Sequence, residues 1–149
     1  MKRRFAAAVA VLALAPAGLL ASCSDDGSGT EIDPDYAEFC FLATDLLTKS
    51  QFSHTPDPAA LKTLWDDISR LFADMTKAAP LEIAGAVGVL ADNWEARKKI
   101  FETYNYNIIE MSEVPEVETE LDALTTDEKV VAANDDLSKT TIGKCNVQP

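Results

Sequence analysis

Seven large apolar residues recur at steps of three and four along residues 57–79, and this pattern constrains the fold more than any other feature of the chain. Side chains at such steps share one face of an α-helix, because the helix turns once every 3.6 residues. Pro58 suits the first position of this predicted helix, and Pro80 ends it. The apolar face must be buried against other elements, and it consists of Leu61, Leu64, Trp65, Ile68, Leu71, Phe72 and Met75.

Other segments repeat with the same helical period. Helices are predicted at about residues 35–50, 81–104 and 127–142, with a short helix at 116–124, whereas residues 105–115 give no clear pattern. Four substantial helices with short connections predict an all-α fold, an up-down-up-down four-helix bundle. No strand pattern longer than a few residues and no internal repeat is found.

Three glycines affect how these helices are predicted to pack and end. Gly85 and Gly88 lie inside the third helix, where each costs about 1 kcal/mol relative to alanine. We expect a close helix crossing there, with no room for a side chain. Gly143 is expected to end the last helix, because glycine readily adopts the backbone conformation that closes a helix.

The first 22 residues have the composition of an export leader. Lys2, Arg3 and Arg4 are followed by an apolar stretch, residues 5–21, that Pro16 interrupts. This order is typical of a signal peptide. The stretch is marginal for a permanent membrane helix, which needs roughly 20 predominantly apolar residues.

The leader ends in Leu20-Ala21-Ser22-Cys23, which resembles the lipobox of bacterial lipoproteins. The resemblance implies cleavage after Ser22 and a diacylglycerol group on Cys23, which becomes the first residue of the mature protein. Acyl chains in pairs anchor a protein stably in a membrane. The protein is therefore expected at the outer face of the cell membrane. The alternative is an ordinary secretory leader with an incidental cysteine, and the export route, general secretory or twin-arginine, is left open.

The mature chain is predicted to have a flexible tether, residues 23–34, and one helical domain, residues 35–149. The tether is rich in Gly, Ser and Asp and cannot bury enough apolar area to fold. Without the leader, ten basic residues face 25 acidic ones, which gives a formal charge of −15. Such a charge repels phosphate groups and excludes nucleic acid as a partner.

Cys40 and Cys145 remain as a pair if Cys23 carries lipid. Cys40 lies in the second turn of the first predicted helix and Cys145 just after the last, and these helix ends are neighbours in an up-down bundle. A disulfide is therefore predicted, closing nearly the whole domain and contributing about 4–5 kcal/mol. The alternative, a redox or metal-binding thiol pair, lacks a CxxC spacing.

No catalytic motif, cofactor site or metal site is predicted. His54 is the one histidine and is expected to be an exposed loop residue. The acidic run over residues 113–122 has no calcium-loop spacing and is expected to be a solvated face. A carboxylate pair of the kind that glycosidases use depends on the fold and stays open.

Two residues are candidates for ligand contact. Asn134 lies on the apolar stripe of the last helix, where an asparagine either fixes helix register or lines a pocket. Tyr106, in the sequence YNYN, is the candidate for an exposed aromatic contact. Trp65, Trp94 and Tyr104 are expected in the core.

Together these features predict a lipid-anchored envelope protein that binds a protein or a small apolar ligand and is not an enzyme. In this respect the chain is similar to the small helical lipoproteins of actinobacteria, whose activities are mostly undefined. Two alternatives stay open: an envelope enzyme with a carboxylate pair about 5–10 Å apart in a groove, and a purely structural or stress-related envelope protein. An exposed apolar patch or a deep apolar cavity would favour binding.

Overall fold

The computed structural model describes residues 32–51 and 57–147. The predicted leader, Cys23, most of the predicted tether and His54 lie outside the described residues. Within them the chain is helical and has no strand, as the apolar periodicity predicts.

In the described part of the chain, six α-helices follow a short 3-10 helix at Pro34–Tyr36. Each predicted helix is present, with ends within three residues of the expected ones, and an additional short helix forms where the sequence pattern was unclear. The helices are α1 (Ala37–Ser50), α2 (Pro58–Ala78), α3 (Leu81–Thr103), α4 (Ile108–Ser112), α5 (Pro115–Thr126) and α6 (Glu128–Cys145).

Aspartate side chains cap the starts of α2 and α6. The Asp57 carboxylate accepts the N–H of Ala59 at 3.0 Å, ahead of α2. The Asp127 carboxylate accepts the N–H groups of Lys129 and Val130 at 2.9 and 3.3 Å, ahead of α6. Each cap satisfies backbone donors that a helix start leaves without an intrahelical partner.

The end of α6 is set by Asn146 and not by Gly143. The helix continues through Gly143 to Cys145, so the predicted stop is wrong. Asn146 adopts a left-handed conformation with φ 53°, and the N–H of Val147 donates to the carbonyl of Thr141 at 3.2 Å. This hydrogen bond closes the helix as glycine often does, because asparagine also tolerates the left-handed region.

The helices pack in a chain of neighbours. α1 packs on α2, α2 on α3 and α3 on α6, while α1 and α6 meet along a shorter seam. The largest core cluster joins the beginnings of α1 and α3 to the ends of α2 and α6. Its buried members are Tyr36, Phe39, Cys40, Ala43, Met75, Ile83, Val87 and Cys145.

An aromatic cluster lies between α2 and α3. The rings of Trp65 and Trp94 stack with their centroids 4.0 Å apart, and the Phe101 ring lies 4.3 Å from Trp65. A separate cluster of Ile100, Met111 and Val117 attaches α4 and α5 to α3. These contacts bury most of the apolar face predicted for α2. Trp65 is buried as expected, whereas Trp94 and Tyr104, also expected in the core, are half-buried.

The expected close crossing at Gly85 and Gly88 is wrong. A Cβ atom added at either glycine meets nothing within 4 Å. The core contacts of α3 are made instead by Ile83, Val87 and Leu90. Packing therefore requires neither glycine.

Cys40 and Cys145 form the predicted disulfide. Their Cα atoms are 5.1 Å apart, both residues are buried, and the bond joins positions 105 residues apart. The prediction from cysteine count and helix ends is confirmed. The bond fastens the beginning of α1 to the end of α6.

Replacing both bridged cysteines with alanine (Cys40→Ala, Cys145→Ala) should lower the free energy of unfolding by about 4–5 kcal/mol, since the unfolded chain loses its cross-link. The measurement is urea unfolding followed by circular dichroism. Reduction of the unmodified protein serves as the control and should give the same loss. An unchanged urea midpoint in both cases would show that the bond does not stabilise the fold.

Candidate functional site

An apolar groove of about 170 Å³ lies between α1 and α6. No charged side chain lines it, although the described residues include 22 acidic and ten basic ones. The lining residues are Ala43, Leu46, Leu47, Asn134, Leu137, Ser138, Thr141, Ile142 and Val147.

The groove follows from residue spacing on two helices. On α1, Ala43, Leu46 and Leu47 are three and four positions apart and share a face. On α6, Leu137 and Thr141 are four apart and face α1. Ala43 is buried and has a short side chain, so the facing helices leave space that a larger residue would fill.

Polar groups form part of the groove wall. The Thr141 hydroxyl donates to the carbonyl of Ser138 at 3.0 Å. The Asn134 amide and the Ser138 hydroxyl make no hydrogen bond to another residue in the described ranges. An apolar groove with a few polar groups at its wall is typical of small-molecule sites.

Asn134 is exposed and lines the groove. Its prediction as a buried residue that fixes register is therefore wrong, because Ala133 takes the neighbouring core position on α6. The other predicted role, lining a pocket, agrees with its place in the groove wall. Periodicity could not separate the two roles, since positions 133 and 134 both lie near the edge of the apolar stripe.

Ser138, Ile142 and Val147 belong to the groove but were not identified from the sequence. Ile142 and Leu47 are partly exposed, at 49% and 38%. The aliphatic residues at these positions of two predicted helices could have indicated an apolar surface. Nothing in the sequence, however, shows that the two helices meet there. Val147 reaches the groove because the left-handed Asn146 turns the chain back onto α6.

Tyr106 is buried, and its prediction as an exposed aromatic contact is wrong. Its side chain is 3% exposed and packs with Leu61 and Trp65. Tyr106 is not among the residues that line the α1–α6 groove. Asn105 and Tyr106 have φ values of 50° and 59° and turn the chain sharply after α3. A tyrosine rarely adopts this conformation, so the turn was not predictable from residue type.

The Tyr106 hydroxyl is also held in its neutral form. Burial raises the pKa of Tyr106 to about 12, and the Glu102 carboxylate contributes to the same shift. The hydroxyl lies 3.5 Å from Glu102 Oε1. Tyr106 therefore closes the aromatic cluster between α2 and α3.

Asp66 is the centre of an ion-pair cluster on α2 and α3. Lys62 Nζ and Lys98 Nζ lie 2.6 and 2.7 Å from its two oxygens. Hydrogen bonds from these lysines lower the pKa of Asp66, and the bond to Asp66 raises the pKa of Lys98. Both groups are held charged, which suits a structural ion pair and not a proton donor.

A second polar cluster joins the chain segment before α1 to α3 and α6. The Tyr36 hydroxyl donates a short hydrogen bond to Glu82 Oε1. Lys144 Nζ lies 5.1 Å from the centre of the Tyr36 ring and 3.6 Å from Asp33 Oδ2. The hydrogen bond to Glu82, together with burial, raises the pKa of Tyr36 to about 12, and the same bond lowers the pKa of Glu82.

Residues 32–51 and 57–147 contain neither a metal-binding cluster nor a helix suited to cross a membrane. No group of three or more His, Cys, Asp or Glu side chains there is arranged to hold a metal ion. None of the helices in these ranges combines the length and the apolar character needed to cross a membrane. Comparison of the chain with protein families, with curated proteins and with solved structures finds no match.

Tyr36 and Tyr106 should ionise near pH 12, above the ordinary tyrosine value of 10.0. Because both pKa values are raised by folding, the stability they contribute is complete below pH 10 and is lost as the pH rises towards 12. The measurement is a spectrophotometric titration of tyrosinate, in which Tyr36→Phe and Tyr106→Phe should each remove one late ionisation. Ionisation of both residues near pH 10 in the folded protein would contradict the expected environments.

Proposed function

We propose that this protein is a lipid-anchored binding module at the outer face of the cell membrane, with the α1–α6 groove as its ligand site. The anchor is inferred from the leader and from Leu20-Ala21-Ser22-Cys23. The observation that carries the binding function is an uncharged apolar groove in a strongly acidic protein. The ligand we infer is a small, neutral, largely apolar molecule.

The size of the groove supports a ligand of this class. Its volume is about 170 Å³, and an engineered apolar cavity of about 150 Å³ is known to bind benzene. A ring or short branched chain of that size fills the space between Ala43 and Leu137. Asn134 and Ser138 can then bond a polar group at the ligand's exposed end, which fixes its orientation.

Charge supports a neutral ligand over an anionic one. No lysine or arginine lines the groove, so an anionic ligand finds no cation to pair with there. A strongly cationic ligand finds no carboxylate in the groove to pair with. A neutral apolar molecule encounters neither penalty and gains from leaving water.

We also propose that α1, α2, α3 and α6 form an up-down-up-down bundle, with α4 and α5 as the connection between α3 and α6. The sequence of packed neighbours supports this arrangement. So does the core cluster that unites the beginnings of α1 and α3 with the ends of α2 and α6. In such a bundle the α1–α6 seam closes the ring, and spaces between bundle helices are common ligand sites.

The anchor is tested by the intact mass of the protein extracted from its native membrane. The expected mass is that of residues 23–149 plus diacylglycerol, rising by two hydrogens when the disulfide is reduced. Cys23→Ser should abolish the lipid, because serine lacks the thiol that forms the thioether. An unmodified Cys23 in the native protein, or a retained leader, would refute the lipid anchor.

The groove is tested with benzophenone, a neutral apolar photoprobe, followed by mass mapping of the labelled peptides. Labelling should fall on α1 and α6 around Leu47 and Leu137. Ser138→Leu fills the groove and should reduce this labelling about tenfold, equivalent to roughly 1.4 kcal/mol of binding.

Ser138→Ala is the matched control, since it removes the hydroxyl without filling the space, and it should label almost normally. Labelling of α1 and α6 that is indifferent to Ser138→Leu would show that the groove is not the binding site.

A further inference from the structure

A second apolar groove, of about 400 Å³, lies where α4 and α5 meet α3. It shares no lining residue with the α1–α6 groove. Met111 and Val117 are buried beneath it, while Phe101, Ile108 and Leu121 are half-buried along its walls. The groove is therefore an apolar surface that the described part of the chain leaves partly uncovered.

This groove forms where two short helices, α4 and α5, follow one another closely along the chain. α4 has five residues and follows the left-handed turn at Asn105 and Tyr106. Pro115 begins α5 directly afterwards. The far end of α5 is fixed to α3, because Asn93 Nδ2 donates to the carbonyl of Leu124 at 2.8 Å. The two helices are thus held on α3, with the space between them open.

The rim of this groove is acidic. Glu118 and Asp122 both line it, and their spacing of four residues places them on one face of α5. They belong to a segment, residues 110–128, with eight acidic side chains and no basic one. The eight are Glu110, Glu113, Glu116, Glu118, Glu120, Asp122, Asp127 and Glu128.

The carboxylates of this segment differ from those of α2 and α6 in having no cationic partner at ion-pair distance in the described ranges. Within the described ranges, none of the eight carboxylates lies in an ion pair, whereas carboxylates on α2 and α6 pair with lysine. Like charges four residues apart destabilise a helix. The unpaired carboxylates therefore lower the stability of α5 when no partner is bound, and they attract a cationic partner.

We propose that the α4–α5 groove docks a basic peptide segment of a partner protein. One apolar side chain of the segment enters the groove between Ile108 and Leu121, and flanking lysine or arginine side chains pair with Glu118 and Asp122. Charge selects this occupant: a second copy of this chain is itself acidic, and an anionic lipid surface is repelled in the same way. The proposal does not depend on the α1–α6 groove or on its ligand.

The test measures binding of a fluorescently labelled amphipathic peptide of leucine and lysine to the full chain, by fluorescence anisotropy. The double variant Glu118→Gln/Asp122→Asn removes the two rim charges and should weaken binding about tenfold. Added salt should weaken binding to the unmodified protein, because it screens the exposed charges.

Asp35→Asn/Glu38→Gln is the matched control. It removes one aspartate and one glutamate charge from exposed positions before and within α1, outside the α4–α5 groove. It should change the affinity by less than about twofold, since distant exposed charges are screened. Equal weakening by both double variants would reduce the binding to general charge attraction and overturn the proposal, as would no weakening by either.

The apolar contact is tested from the peptide side, which leaves the protein's fold untouched. A peptide with serine in place of leucine keeps every lysine and should bind at least about tenfold more weakly, because nothing fills the groove. Equal binding of the two peptides would show that the groove is not used and would overturn the proposal.

Discussion

The covalent bond between Cys40 and Cys145 is the constraint on which the closure of the domain depends. It lies inside the largest core cluster, so it joins the two ends of the helical region at a point where four helices contribute side chains. The α1–α6 contact is smaller than the α1–α2, α2–α3 and α3–α6 contacts, and the disulfide adds a covalent link where this packing is limited. Since α1 and α6 are fixed at one end, the small residues along the rest of the seam can leave a groove without separating the helices.

The second helix was predictable from the sequence because its apolar residues encode both its conformation and the direction of its buried face. Leu61, Trp65 and Ile68 are buried as that pattern requires. The end of α6 was not predictable in the same way. It depends on a hydrogen bond between Val147 and Thr141 and on a left-handed Asn146, whereas periodicity reports only which face is apolar.

The candidate sites could be identified only once the fold was known, because each combines residues that are far apart in the sequence. Lining a pocket was one of two roles predicted for Asn134, but its α1 neighbours in the groove were not predicted, since nothing local pairs residue 47 with residue 138. The burial of Tyr106 depends on a turn that bulky residues rarely adopt. The acidic run of α5 was visible in the sequence as a solvated face, and only the position of α4 places an apolar groove beside it.

The distribution of cations explains why the two grooves suit different partners. Seven of the ten basic residues in the described ranges take part in ion pairs, all with acidic residues that lie outside α4 and α5. Exposed ion pairs of this kind contribute little stability, with a median of about 0–1 kcal/mol. Their main effect is to neutralise the surfaces where they occur. The carboxylates of α5 have no such pairs in the described ranges, so its surface stays strongly negative. Salt limits the reach of exposed charges to about 8 Å under physiological conditions. The charge that a ligand meets in each groove is therefore set by the residues that line it, which are uncharged between α1 and α6 and include Glu118 and Asp122 between α4 and α5.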